Sequence, residues 1–473
     1  MLSLFDRAAA RAHASATPTE TGARRTDRLR VVLLVAGVLG AIACTAAPAG
    51  AKVVTDSVTH KKFGIVPTTA ARNTVGAACI AENSDCTKLS YNGGPVQHAE
   101  RDYLFFWTPS GHSTASAYRA GLTTWLSEFA ALKYTAGNPF SVNQQYYDNS
   151  GAGGTHSFVP YAVTYGGTIV DTAAYPASGC PLGGLSVCLT DAQLAAQLSS
   201  YLTSHPTLPK GINTEYFIMT PVNVRSCFDA GGTSCSYTSF CGYHSFTGSG
   251  ATQIVYADMP WAYNVSGCDV NLAFGAGYAN ADGIDPVVGI FSHELSETMT
   301  DPNLNAWIQN GGTDNGDEIG DKCAYIYGGG GYGSTSGLSN NGLGFWNVAA
   351  GGDQYLMQLE FDNRISSCAI KDTDTQPALT ISIVPNPPVH GSSATFTAHV
   401  TDALGVAYVR WTFGDGATAT TPGTSCTGTS PTFSCSITHT YAVAYPSPGI
   451  PVIAIATDKD GNEKNVVQTI TVS

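Results

Sequence analysis

Residues 285–302, DPVVGIFSHELSETMTDP, are the most informative stretch of the chain and predict a single helix. Asp285 can cap the N-terminus, and Pro286 suits the first helical position. At the other end Asp301 precedes Pro302, which biases it out of the α region and should end the helix. Four apolar residues recur at helical spacing and form the face that should pack on the core: Val288, Phe291, Leu295 and Met299.

The opposite face of this helix carries groups that can hold a metal ion. His293 and Glu297 are spaced i, i+4, so they lie about 40° apart around the helix axis, with Glu294 beside them. This is the spacing of the H-E-x-x-H metallopeptidase motif, with a glutamate in place of the second histidine. We expect this polar face to point toward a cleft or solvent. The alternative is a solvated helix face that binds nothing.

Metallopeptidase chemistry needs three protein ligands, an open fourth position and a base for the bound water. His293 and Glu297 can supply two ligands, and Glu294 can take the proton from water. The third ligand must come from another part of the chain. The acidic segment DEIGDKC offers two candidates spaced i, i+3, which one helical turn can present together: Glu318 and Asp321.

Zinc is the expected metal, because it prefers imidazole and accepts carboxylate. One imidazole with two carboxylates makes a zinc ion less Lewis-acidic than a histidine-rich site does. Calcium, manganese and an inactive site are therefore alternatives, and so is a calcium-binding or solvated acidic loop, although no EF-hand order occurs. Other candidate ligands are Asp301, Asp314, Asp317 and His244, the last with a structural hydrogen-bonding role as the commoner alternative.

Composition and the N-terminus predict a secreted globular protein. Apolar residues make up 43% of the 473 residues and charged residues only 12%, which is enough apolar surface for two or three domains. Residues 1–51 combine arginines, an apolar run and small residues, as in a secretory signal. Lipid anchoring at Cys44 is the lesser alternative. No other stretch can span a membrane, and the net charge of −13 disfavours nucleic acid as a partner.

Cysteine usage also favours export. Twelve of the 13 cysteines follow the signal segment, and an even number in an exported protein predicts disulfides. The predicted pairs are Cys79–Cys86, Cys180–Cys188, Cys426–Cys435 and Cys323–Cys368. Three pairings remain open for one further set of four: Cys227, Cys235, Cys241 and Cys268.

The chain divides into a signal (1–51), a lead-in or pro-segment (52–88), a main domain (89–371), a linker (372–378) and a C-terminal domain (379–473). The main domain mixes strands and helices without regular alternation, which predicts an α+β fold. Its predicted helices cover residues 116–132 and 190–202, the second with a capping box between Thr190 and Gln193. Its predicted strands cover residues 102–108, 141–148, 212–220 and 253–259.

The C-terminal domain shows short alternating strands, which predict a small β-sandwich. Three motifs, WTFGDG (411–416), HTY (439–441) and ATD (456–458), resemble the PKD domain, an immunoglobulin-like module. Trp411 and Phe413 should supply the core, and Asp415 is expected to be a turn residue rather than a ligand. The resemblance implies a spacer, adhesion or glycan-binding unit.

The main domain resembles the EXORDIUM, or phosphate-induced protein, family, and specifically a bacterial member. The motifs that carry the resemblance are LSYNGGPVQH (89–98), FCGYHS (240–245), HELSETMTDPNLNAW (293–307), DEIGDKC (317–323) and YGGGGYG (327–333). The family is exported, and its His-Glu-x-x-Glu helix is similar to that of zincin peptidases. The resemblance therefore implies a zincin-like fold for the main domain.

Two functions follow from these observations. The first is an exported metal-dependent hydrolase, a zincin-like peptidase with a PKD module for attachment, acting as a monomer on an extracellular protein, peptide or cell-wall substrate. The second is a non-catalytic protein of the cell surface or cell wall, with a structural metal or none. Serine hydrolase and nucleotide-binding motifs are absent from the sequence.

Overall fold

The computed structural model of the chain describes residues 52–72, 86–133, 137–151, 156–312, 314–372, 377–402, 405–459 and 463–473. The predicted signal segment, Cys44 and Cys79 lie outside these residues. All described residues belong to one compact unit. Within them, no helix is long and apolar enough to cross a membrane.

Residues 52–371 contain five described helices and many short strands. The helices are α1 Thr69–Arg72, α2 Ser116–Ala131, α3 Asp191–Ser204, α4 Val270–Ala273 and α5 Asp285–Thr300. The strands are β1 Val54–Thr55, β2 Lys62–Pro67, β3 Ser90–Tyr91, β4 Arg101–Trp107, β5 Tyr147–Asp148, β6 Ser157–Phe158, β7 Tyr165–Asp171, β8 Val187–Thr190, β9 Thr214–Met219, β10 Val224–Cys227, β11 Phe240–Thr247, β12 Ile254–Met259, β13 Trp307–Ile308, β14 Ser339–Asn340, β15 Phe345–Trp346, β16 Val348–Ala350, β17 Asp353–Tyr355, β18 Glu360–Asp362 and β19 Ser367–Ala369. Short 3-10 helices cover Pro139–Gln145, Gly250–Thr252 and Asp321–Cys323.

A seven-stranded mixed sheet in the order β1-β2-β11-β12-β9-β4-β7 organises the main domain. Strands β12, β9, β4 and β7 run parallel, whereas β11 runs antiparallel to both β12 and β2. Strand β4, RDYLFFW, is apolar on both faces because both faces of the sheet are covered. The main domain therefore mixes helices and strands, as the sequence predicts.

Two hydrophobic cores lie on opposite faces of this sheet. On one face Leu104 and Phe106 of β4 pack with Trp125 of α2 and Phe291 of α5. On the other face Phe105 joins a cluster that includes the leucine stripe of α3, Leu194, Leu198 and Leu202. The predicted capping box of α3 is confirmed, since Thr190 Oγ1 accepts the Gln193 N–H and Gln193 Oε1 accepts the Thr190 N–H.

Two local predictions for this domain are wrong. Residues 141–148 do not form one strand, because the Asn138 side chain accepts the Phe140 N–H and starts a 3-10 helix at Pro139. The N-cap of α5 is Ile284, and Asp285 lies within the helix. The Asp285 carboxylate instead accepts hydrogen bonds from the backbone and side chain of Asn280.

The C-terminal domain is a two-sheet β-sandwich, as predicted. Its strands are β20 Ala378–Val384, β21 Ser393–Thr401, β22 Val406–Thr412, β23 Thr418–Pro422, β24 Thr427–Thr429, β25 Thr432–Thr440, β26 Tyr445–Asp458 and β27 Glu463–Val472. The two sheets have the orders β20-β21-β25-β24 and β23-β22-β26-β27. Trp411 and Phe413 are buried in the core. Asp415 accepts the Ala417 N–H and pairs with His439, so it acts as a turn residue.

Contacts between the two domains centre on Glu463 of β27. The Tyr161 hydroxyl donates to the Glu463 carbonyl at 2.7 Å, and Gln144 Oε1 accepts the Glu463 N–H at 3.3 Å. Tyr161 and Glu463 are both fully buried. The sandwich is therefore docked on the main domain through specific hydrogen bonds.

Five disulfides have both cysteines among the described residues. The predicted pairs Cys180–Cys188, Cys323–Cys368 and Cys426–Cys435 are confirmed. The open set resolves into Cys227–Cys235 and Cys241–Cys268. The second of these ties β11 to the segment that precedes α4.

Candidate metal centre

Helix α5 is buried along its whole length, including the polar face that the sequence predicts to be open. Its apolar face packs as expected, with the Phe291 ring stacked on Phe217 at 3.7 Å between centroids. Its polar face is covered by β2 and β11 and by residues 317–323. The expectation of a cleft or solvent in front of His293, Glu294 and Glu297 is therefore wrong, because elements distant in sequence close over that face.

His293 is the centre of one group of potential ligands. Its Nε2 lies 2.8 Å from Glu297 Oε1 and 3.6 Å from Asp321 Oδ1. The Asp321 N–H donates to Glu297 Oε1 at 3.1 Å, which holds the carboxylate against the 3-10 turn. The structure thus brings together three of the residues that the sequence selects.

Gln358 orients His293 from the other side of the ring. Its Oε1 accepts the Tyr325 N–H and its Nε2 donates to the Gly320 carbonyl, and His293 Nδ1 lies 2.9 Å from Nε2 and 3.2 Å from Oε1. When His293 Nδ1–H donates to Gln358 Oε1, the lone pair of Nε2 faces the two carboxylates, as a metal ligand requires. No local pattern in the sequence marks Gln358 for this role.

His244 is the centre of a second, adjoining group. Its Nδ1 lies 3.0 Å from Glu294 Oε2 and 3.4 Å from Glu297 Oε2. Its Nε2 lies 3.7 Å from Glu318 Oε1. His244 therefore contacts the predicted base and two predicted ligands, and it belongs to the centre rather than to its periphery.

The two groups share Glu297 and contain many polar atoms without hydrogen-bond partners. In each group, His293–Glu297–Asp321 and His244–Glu297–Glu318, the candidate ligand atoms lie within 4.8 Å of one another. Unpaired polar atoms are rare in protein interiors, because each costs desolvation energy. Apart from the imidazole–carboxylate contacts given above, the buried atoms here that make no hydrogen bond are His244 Nε2, His293 Nε2, Glu297 Oε2, Glu318 Oε1 and Oε2, and Asp321 Oδ1. This donor set fits a bound cation.

The protonation of these groups is mutually dependent, as expected for carboxylates and imidazoles in contact. Burial raises the pKa of Glu297, but the charge of His293 and the hydrogen bond from His244 outweigh it and bring the pKa to about 2. Burial lowers the pKa of His244, but hydrogen bonds to Glu294 and Glu297 raise it to about 10. Burial and repulsion from Glu297 raise the pKa of Asp321 to about 7. A cation that binds here must displace protons, so its binding depends on pH.

The backbone of β2 lies directly against this centre. A Cβ atom at Gly64 would lie 2.6 Å from His244 Nδ1 and 2.5 Å from Glu318 Oε2. The Val66 N–H donates to Glu294 Oε1 at 3.3 Å. Glycine is required at position 64 because any side chain there would displace the imidazole or the carboxylate.

A separate group of acids lies near the C-terminal half of α5. Glu100, Asp102 and Glu215 are fully buried, and their oxygens lie within 4.8 Å of one another. The Thr298 hydroxyl donates to Glu215 Oε1 at 2.9 Å. Burial raises the pKa of Asp102 to about 7, so this group retains protons at neutral pH. No local pattern in the sequence marks these residues.

Comparison with known proteins supports the family resemblance over the part of the chain that holds the centre. Residues 238–371 match the family described as phosphate-induced protein 1 conserved region, and residues 378–469 match the PKD domain. The chain is 32% identical to protein EXORDIUM-like 5 of Arabidopsis thaliana over 90 residues and 34% identical to EXORDIUM-like 3 of the same plant over 88 residues. Each match covers 18% of this chain, and the chain spans about a quarter of each relative, 25% and 26%. The predicted resemblance is confirmed for these residues.

Two solved structures show a weak similarity to this chain. The PKD1 domain of Vibrio anguillarum Epp is 17% identical with a TM-score of 0.16, over 21% of this chain and 96% of that one. OgpA from Akkermansia muciniphila is 13% identical with a TM-score of 0.23, over 83% of this chain and 97% of that one. Neither score is high enough to support an inference about fold or activity.

Proposed function

We propose that this protein is an extracellular metal-dependent hydrolase of the zincin type, which cleaves peptide bonds and uses its PKD domain for attachment. The observation that carries the proposal is the convergence of two imidazoles and several carboxylates, with unpaired buried atoms, on Glu297. The PKD match and the disulfides support an extracellular location.

The donor set favours zinc over calcium. Calcium takes oxygen ligands, whereas zinc binds imidazole nitrogen together with carboxylate oxygen. His293, Glu297 and Asp321 would hold the ion from one side, and His244 with Glu318 from the other. A bound zinc ion would polarise the scissile carbonyl and lower the pKa of water.

The protein groups would divide the remaining tasks. Glu294, next to a ligand and held by His244, is the candidate base that accepts a proton from water on Oε1 or Oε2. His244 Nδ1 positions that carboxylate through its 3.0 Å contact. Gln358 fixes the orientation of the His293 ring, as outer hydrogen bonds do in metal sites.

One observation supports a second candidate function. The site residues on α5, β11 and the 317–323 segment are between 0% and 1% exposed, which suits a structural metal in a non-catalytic binding protein. A catalytic zinc needs an open position for water or substrate, whereas a structural one is closed. The two candidates therefore differ in activity and agree in metal content.

The deciding experiment compares wild type, Glu294→Gln and Asp353→Asn, the last as a control at an exposed carboxylate of β17. Metal content is measured by mass spectrometry, and cleavage is screened on a mixture of unstructured peptides. Metal in all three with cleavage lost only in Glu294→Gln is the expected result. Metal with no cleavage by any of them supports the second candidate. Cleavage that persists in Glu294→Gln contradicts the assigned base.

A further inference from the structure

Strand β2 occupies an unusual position beside the centre. It pairs antiparallel with β11, the strand that carries His244, and Gly64 lies opposite His244 in the register. Among the described residues, the strand that pairs with its other edge is β1, which is two residues long. If residues 52–72 were removed, the outer edge of β11 would present unpaired backbone groups directly beside Glu294 and Glu318.

Such an edge is a site for an extended peptide. A peptide that adds to a sheet edge gains affinity from backbone hydrogen bonds and specificity from pockets for alternate side chains. The backbone of β2 already makes the first kind of contact here. Its backbone pairs with β11, and the Val66 N–H reaches the candidate base Glu294 at 3.3 Å.

The side chains of β2 fit separate environments on its two faces. Phe63 is fully buried, stacked on Phe228 at 4.0 Å and edge-on to Tyr243 at 5.1 Å between ring centroids. Gly64 faces the centre with no room for a Cβ atom. Ile65 returns to the Phe63 side. The strand therefore presents an aromatic, a glycine and an aliphatic residue in sequence.

We infer that the outer edge of β11 is the peptide-binding site of this centre, and that residues 62–67 occupy it as an intramolecular ligand. The inference rests on the proposed function and specifies its substrate class. That class is an extended peptide with a glycine opposite His244 and an aromatic residue immediately before it. While β2 is in place, it competes with other peptides for this edge, so the intact chain should cleave peptides more slowly than a chain from which β2 has been released.

The competing explanation is that β2 is a permanent strand of the sheet, which its burial also suits. The test uses the full chain with a site-specific protease sequence inserted between residues 72 and 86. Before and after cleavage, binding of a fluorescent peptide with the sequence of residues 60–68, HKKFGIVPT, is measured by anisotropy. A peptide with valine at the Gly64 position and one with alanine at the Lys62 position serve as the matched pair.

The expected result is saturable binding of the wild-type peptide to the cleaved chain at least about tenfold tighter than to the intact chain. The valine peptide should lose that binding, and the alanine peptide should keep it. Unfolding on cleavage, equal binding of both variant peptides, or no binding would overturn the inference. Unfolding on cleavage would show that β2 is an integral strand of the sheet.

This readout is independent of hydrolysis. If the cleaved chain binds the peptide but hydrolyses nothing, the result supports the binding site and contradicts the proposed hydrolase activity. If the chain hydrolyses peptides equally before and after cleavage, and the HKKFGIVPT peptide does not inhibit it, the result supports the hydrolase activity and contradicts the binding site at β11.

Discussion

Replacing Gly64 with alanine tests whether β2 lies on the centre as the structure shows. The backbone at Gly64 is not in the left-handed region, so alanine costs little conformationally, and the effect comes from contact alone. A Cβ atom would lie 2.5 Å from Glu318 Oε2 and 2.6 Å from His244 Nδ1, at least about 0.8 Å closer than ordinary contact. Overpacking of this kind costs roughly 1–3 kcal/mol. If the imidazole rotates away, the charge-assisted bond to Glu294 is lost, which adds about 1.5 kcal/mol or more.

We therefore expect Gly64→Ala to lower the free energy of unfolding of the main domain by about 3 kcal/mol. Denaturant unfolding followed by tryptophan fluorescence measures it, with Gly329→Ala as the matched control. Gly329 has no atom within 4 Å of an added Cβ atom, so its substitution should change stability by less than about 0.5 kcal/mol. Equal stability of the two variants would refute the placement of β2.

Three further predictions concern stability. Burial raises the pKa of Asp258 to about 8, so unfolding releases its proton between about pH 4 and pH 8. The free energy of unfolding should therefore fall as the pH rises across that window, by up to about 5 kcal/mol in total, and stay level above it. Denaturation at several pH values measures this fall, which Asp258→Asn should remove. Replacing Cys241 and Cys268 by serine opens a loop with a sequence separation of 27 and should cost about 3.5 kcal/mol. Loss of the Cys426–Cys435 disulfide, with a sequence separation of 9, should cost less, about 2.5 kcal/mol. Tyr161→Phe should cost about 1 kcal/mol and separate the unfolding transitions of the two domains in calorimetry, whereas unchanged traces would contradict the docking at Glu463.

Local signals predicted the elements that depend on local chemistry. Helix α5 runs from Asp285 to Thr300 and ends at Asp301, as the proline after it requires. Helix α3 starts at its capping box. The strand predicted at residues 141–148 is wrong also for a local reason. Asn138 and Pro139, just before the predicted strand, start a 3-10 helix.

The centre could be predicted only in part, because its members come from four distant segments. The spacing of His293, Glu294 and Glu297 on one helix is visible in the sequence. His244 and Glu294 are 50 residues apart in the sequence, and Gln358 and His293 are 65 residues apart. The periodicity of a helix or strand cannot predict contacts at such separations. The run KFGIVP of β2 is a short apolar segment of the kind that forms buried strands, and that signal was available.

Burial of the polar face follows from the sheet order rather than from the helix. The face of α5 opposite Phe291 looks like a solvent face when the helix is considered alone. It is closed because β2 joins β11 at the sheet edge above it and the 3-10 turn at Asp321 closes the other side. Edge pairing is a long-range choice that amphipathic patterns do not encode.

Metal analysis of the purified full chain tests the central claim most directly, with Glu297→Gln as the variant and Asp353→Asn, at an exposed carboxylate, as its control. Glu297 belongs to both ligand groups, so its replacement should remove the ion from either arrangement. We predict stoichiometric zinc in wild type and control, and little in Glu297→Gln. Metal-free wild-type protein, or equal zinc in Glu297→Gln, would show that these buried histidines and carboxylates share protons and do not hold a cation.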